Sequence, residues 1–262
     1  MNDILLKTAL QAAQKAGKVM LREFQHLAAT DIQAKGKNDF VTRFDLEAEA
    51  AIKKVIARNL PQHRILAEET GYSQAGDECL WVIDPLDGTT NFIHGIPHFA
   101  VSLALLKNQR VVFGLIYEPL SGDRFHAFAG RGAFLNDRPV AVSQTTILAA
   151  SLGATGFPFK APGQAAAYAG AFKSLLSQCK DMRRCGSAAL DLAYTACGRY
   201  DFFWEAHLFP WDFMAGKLIV EEAGGRTSDF AGEGLALRPS TVLAANKALY
   251  PALLQEIGKH FK

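Results

Sequence analysis

Residues 81–92 read WVIDPLDGTTNF. Trp81, Val82 and Ile83 lead into Asp84, then come Pro85, Leu86, Asp87, Gly88 and a run of small hydrogen-bonding residues. The apolar run, extended upstream as CLWVIDPL, predicts a buried strand. Pro85 has no N–H to give to a ladder, so the strand is expected to stop there and turn outward. The following GTTN fits the first turn of a helix, where free N–H groups and the dipole favour an anion. Asp84 and Asp87 can converge on one point across the turn. Two adjacent carboxylates repel, and one takes up a proton unless a cation sits between them. Oxygen donors alone favour Mg²⁺, Ca²⁺ or Mn²⁺ over zinc. The competing reading is an Asx-turn in which an Asp merely caps a helix. Local chemistry leaves these two readings level.

Upstream, Leu5, Ala9, Ala13, Ala16 and Met20 recur at helical spacing. KGKND at 35–39 is a turn-like break. FVTRFDLEAEAAIKKVIARNLP then predicts a second helix, with Thr42 and Asp45 spaced as a capping box and Pro61 as its stop. HRILAEE reads as a short strand ending on Glu68 and Glu69. Downstream, residues 99–119 predict two strands joined by a turn at Lys107–Arg110, and DRFHAFAGRGAFLNDRPVAV adds more strand. The remainder alternates: strand and loop in SLGATGFPF, a helix in AAAYAGAFKSLLSQC, a helix ending near Gly198, a short strand, a helix from Pro210 to a Gly-Gly stop, then a strand and a last helix. The pattern is α/β. Residues 1–145 are expected to form an N-terminal α+β half and residues 146–262 a C-terminal α/β half, packed as one unit.

With 28 basic and 26 acidic residues the net charge is +2, which gives no case for nucleic acid or a membrane surface as partner. No apolar run reaches the roughly 18–20 residues that span a bilayer. The N-terminus lacks the layout of a signal peptide, so a cytoplasmic location is expected. Cys79, Cys179, Cys185 and Cys197 form no C-x-x-C pair and read as reduced thiols. His94 and His98 are four apart, but Pro97 between them argues against a zinc helix. Ser187 lacks a G-x-S-x-G elbow, and there is no Walker A loop. Tyr200, Phe202, Phe203 and Trp204 read as core. Arg183 and Arg184 read as surface, as a dimer contact, or as a charge on the phosphate side. Acids recur at element ends: Asp45, Glu68, Glu69 and Asp212. Each alone is ordinary dipole stabilisation. Their number, beside apolar neighbours, raises the functional reading.

DPLDGTTNF (84–92) together with WDFMAGKLIVEEAGG (211–225) resembles the inositol monophosphatase family. Asp45 after VT, the Glu68-Glu69 pair and the C-terminal AANKAL match in order and spacing, so the resemblance covers essentially the whole chain and looks closest to the bacterial branch. It implies a layered α-β-α-β-α sandwich, a homodimer, and Mg²⁺-dependent hydrolysis of inositol monophosphate or a related polyol monophosphate. By position, Glu68, Asp84, the Leu86 carbonyl, Asp87 and Asp212 match ligands for two or three Mg²⁺ ions. Gly88, Thr89 and Thr90 match the phosphate loop, and Thr89 with Asp45 matches the pair that helps activate the attacking water. Ala188 and Glu205 match contacts to the substrate alcohol, with Asp191 and Ser187 beside them. Lys35 fits the lysine of a loop over the metals, though Lys37 is close to the same place. Lithium inhibition follows from the same resemblance. One departure is visible: many family members carry Gly before the Glu pair, and Ala67 stands here. A nucleotide 3′-phosphatase, a sugar bisphosphatase or a histidinol-phosphate phosphatase would keep the acidic core and change the substrate. A regulatory protein-binding module on the transcription machinery is the reading from another class.

Overall fold

The first apolar period becomes α1 (Asn2–Glu23), with Ala9, Ala12, Ala13, Ala16 and Met20 fully buried. The computed structural model describes residues 2–36, 39–72, 78–159 and 161–261, without the side chains of residues 29, 35, 36 and 39. A hairpin follows, β1 (Ile32–Gly36) and β2 (Asp39–Thr42), where the sequence predicted only a break and an early helix start. Gln33 and Ala34 are exposed, so this hairpin carries no buried period to read. Helix α2 (Arg43–Asn59) begins at the expected capping box. The Phe44 N–H donates to Thr42 Oγ1 (3.2 Å) and the Thr42 N–H to Asp45 Oδ2 (2.8 Å).

The chain continues as β3 (Arg64–Ala67), β4 (Gly71–Tyr72), β5 (Cys79–Asp87), α3 (Thr89–Ile93), β6 (Ala100–Lys107), β7 (Arg110–Tyr117), β8 (Arg124–Phe128), β9 (Ala133–Leu135) and β10 (Arg138–Val140). These strands form an eight-stranded sheet in the order β10-β9-β8-β7-β6-β5-β3-β4. Then come β11 (Leu152–Thr155), α4 (Ala165–Leu176), β12 (Asp181–Arg183), α5 (Ala188–Ala196), β13 (Phe202–Leu208), α6 (Pro210–Glu222), β14 (Arg226–Ser228), β15 (Ser240–Ala245) and α7 (Tyr250–Gly258). Their strands form a second sheet, ordered β12-β11-β13-β15-β14.

Three apolar clusters stack the layers. Trp81, Ile83, Leu103 and Leu105 face α1 and α2. Leu80, Val82, Ala104 and Leu106 face α5 and α6, which also meet Phe203, Val242 and Ala244 of the second sheet. Phe202, Trp204, Leu243 and Ala245 cover that sheet's far side against α4 and α7. The result is an α-β-α-β-α sandwich. Strand β5 is buried on both faces, which is why it reads as an unbroken apolar run. No helix among the described residues is long and apolar enough to cross a membrane.

One expectation at β5 is corrected. Pro85 does not end the strand, which runs on to Asp87. Asp84 pairs with Ser102 and Asp87 with Ala100, so three steps on β5 oppose two on β6. Pro85 lies in this bulge, where the ladder is already interrupted. In a regular strand, residues three apart point to opposite faces. The extra residue flips the alternation, so Ile83 and Leu86 both turn to the α1–α2 side. Asp84 and Asp87 thereby turn together to the other side.

Candidate active site

Three elements deliver four acids to one place. The parallel pairing of β3 with β5 sets Ala67 beside Ile83. Glu68 follows directly, its N–H donating to Ile83 O (3.1 Å). Asp84 and Asp87 come from the bulged end of β5. Asp212 stands in the first turn of α6, where its Oδ2 accepts the Phe209 N–H (2.7 Å). Carboxylate oxygens of Asp84, Asp87 and Asp212 lie within 4.8 Å of one another, and Glu68 lines the same cleft. The Leu86 N–H donates to Asp84 Oδ1 (2.9 Å). The N-terminus of α5 holds Asp87: its Oδ2 accepts from the Ser187 hydroxyl and from the Ala189 N–H (2.7 Å).

These carboxyls are far from ordinary. Burial, with Glu68, Asp87 and Asp212 adding repulsion, pushes Asp84 well above the usual carboxylate range. Burial and then Glu68 and Asp87 do the same to Asp212. Burial raises Asp87 to about 6, although the Ser187 hydroxyl and the Ala189 and Ala188 N–H groups oppose it. Clustered, buried like charges are costly unless a cation joins them. The donors are all oxygen, so the set fits a hard divalent ion such as Mg²⁺.

Beside the acids, Gly88, Thr89 and Thr90 line the cleft. Gly88 sits at φ +98, and an added Cβ would come within 3.0 Å of His98 O, so side chains are excluded twice over. Asp45 caps α2 and also reaches the loop: the Thr89 hydroxyl lies 3.3 Å from Asp45 Oδ1 and 3.0 Å from Leu86 O. One side chain thus both caps α2 and touches the loop. Ala188 and Glu205 line the same cleft. Lys37 lies outside the described residues, as does the side chain of Lys35.

Other groups in the cleft carried weaker signals. Arg184, one of three readings for a basic pair, lines it and lies over the rings of Phe157 and Phe159 (5.4 and 5.6 Å to the centroids). Arg183 is paired with Asp181. Phe157 and Phe159 came from a segment read only as loop. Asn91 read only as one more small polar residue. Its Nδ2 donates to His98 O (2.7 Å) and Cys185 O (2.8 Å), stapling the loop after α3 to the segment before α5. His94 is exposed while His98 is half-buried, so the two do not form one site. Tyr200, Phe202, Phe203 and Trp204 are all buried, as expected of core.

The sequence matches the inositol monophosphatase family over residues 1–261. The chain belongs to this family. Nus factor SuhB of Escherichia coli K12 is 45% identical over 251 residues, covering 95% of this chain and 94% of that protein. The extragenic suppressor protein suhB of Bartonella henselae superposes with a TM-score of 0.92 at 39% identity, covering 97% of this chain and 98% of that one. The inositol monophosphatase of Anabaena superposes with a TM-score of 0.88 at 38% identity, covering 99% and 98%. The layered sandwich is thus shared with inositol monophosphatase family members of known structure.

Proposed function

We propose that this chain hydrolyses phosphate monoesters of polyols, inositol monophosphate foremost, to the free alcohol and phosphate. The observation that carries this reading is the convergence of Asp84, Asp87 and Asp212 within 4.8 Å beside the Gly88–Thr90 loop. Glu68, Asp84, the Leu86 carbonyl, Asp87 and Asp212 would hold two or three Mg²⁺ ions. Bound Mg²⁺ supplies Lewis-acid polarisation of phosphoryl oxygens and acidifies water. The chain's own residues do the rest. Backbone N–H groups at residues 88–90 and the Thr90 hydroxyl hold the phosphoryl oxygens. Thr89 Oγ1 orients the attacking water and takes its proton while passing its own to Asp45 Oδ1. Glu205 accepts hydrogen bonds from the alcohol's hydroxyls, and the small Ala188 leaves room for its ring. Catalysis on this account is positioning and electrostatics, with no covalent phosphoenzyme. In this reading the protein works in the cytoplasm as a homodimer and is inhibited by lithium.

Phosphate release from a panel of esters tests it: inositol 1-phosphate, glycerol 2-phosphate, fructose 1,6-bisphosphate, adenosine 3′,5′-bisphosphate and histidinol phosphate, each with and without Mg²⁺. Mg²⁺-dependent release led by inositol phosphate supports the reading. Release led by another ester replaces the substrate. No release from any of them removes the phosphatase assignment.

The name Nus factor SuhB borne by relatives favours a second reading, a protein-binding role on the transcription machinery. Such binding would survive a metal-ligand substitution that removes turnover.

The raised carboxyls also predict a pH effect. In EDTA, Asp84, Asp87 and Asp212 keep protons to higher pH in the folded chain than in the unfolded one, where they ionise near pH 4 (about 3.9). The folded state binds more protons, so their contribution is complete below about pH 4 and is lost as pH rises through the folded values. The melting temperature in EDTA should therefore fall between about pH 5 and pH 7.5, and Mg²⁺ should reverse the fall. A flat or rising profile in EDTA would show that the acids do not interact as described.

A further inference from the structure

A second cluster lies behind the phosphate loop. Nitrogen of His98, sulfur of Cys185 and a carboxylate oxygen of Asp191 lie within 4.8 Å of one another. They come from the loop after α3, the segment before α5, and α5 itself. We propose that His98, Cys185 and Asp191 form a separate site for a thiophilic divalent cation, Zn²⁺ by donor chemistry.

Two buried atoms point to a missing ligand. Asp191 is 1% exposed, and its Oδ1 has no hydrogen-bond partner. His98 Nε2 is likewise buried without one. A buried carboxylate oxygen lacking a donor carries its full desolvation cost, and such orphans are rare in folded proteins. One cation between the acid and the imidazole satisfies both. Cys185 is a free, half-buried thiol whose Sγ lies 3.4 Å from Tyr200 Oη. The phenol or a water would complete four-fold coordination.

The donors decide the ion. One sulfur, one nitrogen and one oxygen suit zinc, whereas the all-oxygen set around Asp84 suits magnesium. Ligand atoms around tetrahedral zinc lie about 3.5 Å apart, from metal–ligand lengths of about 2.0–2.3 Å. The cluster needs to close by roughly 1 Å. The frame is already set, because Asn91 binds the backbone carbonyls of both His98 and Cys185. The His98 ring also meets Tyr194 of α5 edge-on (6.0 Å, 73°).

The tie has a consequence for the cleft. Helix α5 holds Asp87 through its first turn, so a cation at this site would fix that turn against the phosphate loop. Spacing alone hid the cluster, since the three residues share no local motif.

Cobalt is the probe. Metal-stripped protein is titrated with Co²⁺ under excess Mg²⁺, which occupies the oxygen site. One equivalent should bind with a thiolate-to-cobalt charge-transfer band in the near ultraviolet. Cys185→Ser should abolish the band, with the other three cysteines intact. Asp191→Asn, which keeps the thiol, should weaken cobalt binding at least about tenfold. Asp212→Asn should keep the band. Absence of a band in the wild type, its persistence in Cys185→Ser, unchanged affinity in Asp191→Asn, or its loss in Asp212→Asn would each overturn the proposal. None of these readouts depends on phosphatase activity.

Discussion

Asp84→Asn should abolish phosphatase turnover, by about a thousandfold or more, while leaving the fold intact. The magnitude follows from losing a charged group positioned at the reacting centre, where one lost interaction commonly costs about 10²–10³. Asp84 is among the groups proposed to hold the ions, which places the effect at the upper end of that range. Asparagine is nearly isosteric and its oxygen can still accept the Leu86 N–H. The change removes a 1%-exposed carboxylate pressed by Glu68, Asp87 and Asp212. The variant should therefore melt at the same temperature as wild type in EDTA at pH 7, or higher. Asp87→Asn should also lose most turnover, but with a stability loss. Its Oδ2 accepts from Ser187 and Ala189, and an amide there would present hydrogens to donors if misoriented. Phosphate release and melting curves on both variants check the pair. Wild-type rates in Asp84→Asn would end the metal-cluster reading.

Gly114→Val should strongly destabilise the protein from a position away from the cleft. Gly114 lies in β7 where α6 crosses the sheet, and a Cβ there would stand 2.7 Å from Ala215 O and 3.1 Å from Ala215 Cα. Backbone cannot move aside as a side chain can, so helix and sheet must separate. Overpacking of this kind costs about 1–3 kcal/mol for a modest insertion, and a valine against backbone should reach the top of that range. For a chain of this size each kcal/mol lowers Tm by about 2–4 °C, so a fall of roughly 10 °C is expected. Activity should fall as well, because α6 carries Asp212 and Ser102 Oγ anchors the same helix through Trp211 O (3.0 Å). Thermal melts with and without Mg²⁺ measure the first effect, and kcat the second. A Tm within about 2 °C of wild type would mean the helix can ride over the added side chain.

What the sequence determined by itself was local. The buried β5, the capping box at Thr42 and Asp45, the helix beginning after Gly88 and the Gly-Gly stop of α6 are each encoded within one element. Periodicity and caps act over a few residues, so they can be read without the fold. The β1–β2 hairpin escaped because it buries little. The family signatures around Asp84 and Trp211 implied the layered sandwich, which periodicity alone did not reach.

Tertiary structure decided convergence. The bulge at Pro85 turned Asp84 and Asp87 to one face, and it shows only in the register against β6. Parallel pairing of β3 with β5 placed Glu68, and the packing of α6 on the sheet brought in Asp212. Asn91 joining His98 to Cys185, and Asp191 facing them, depends on contacts between segments far apart in the chain. Such contacts are set by how faces pack and how loops close, and these are properties of the assembled layers rather than of any one stretch of sequence.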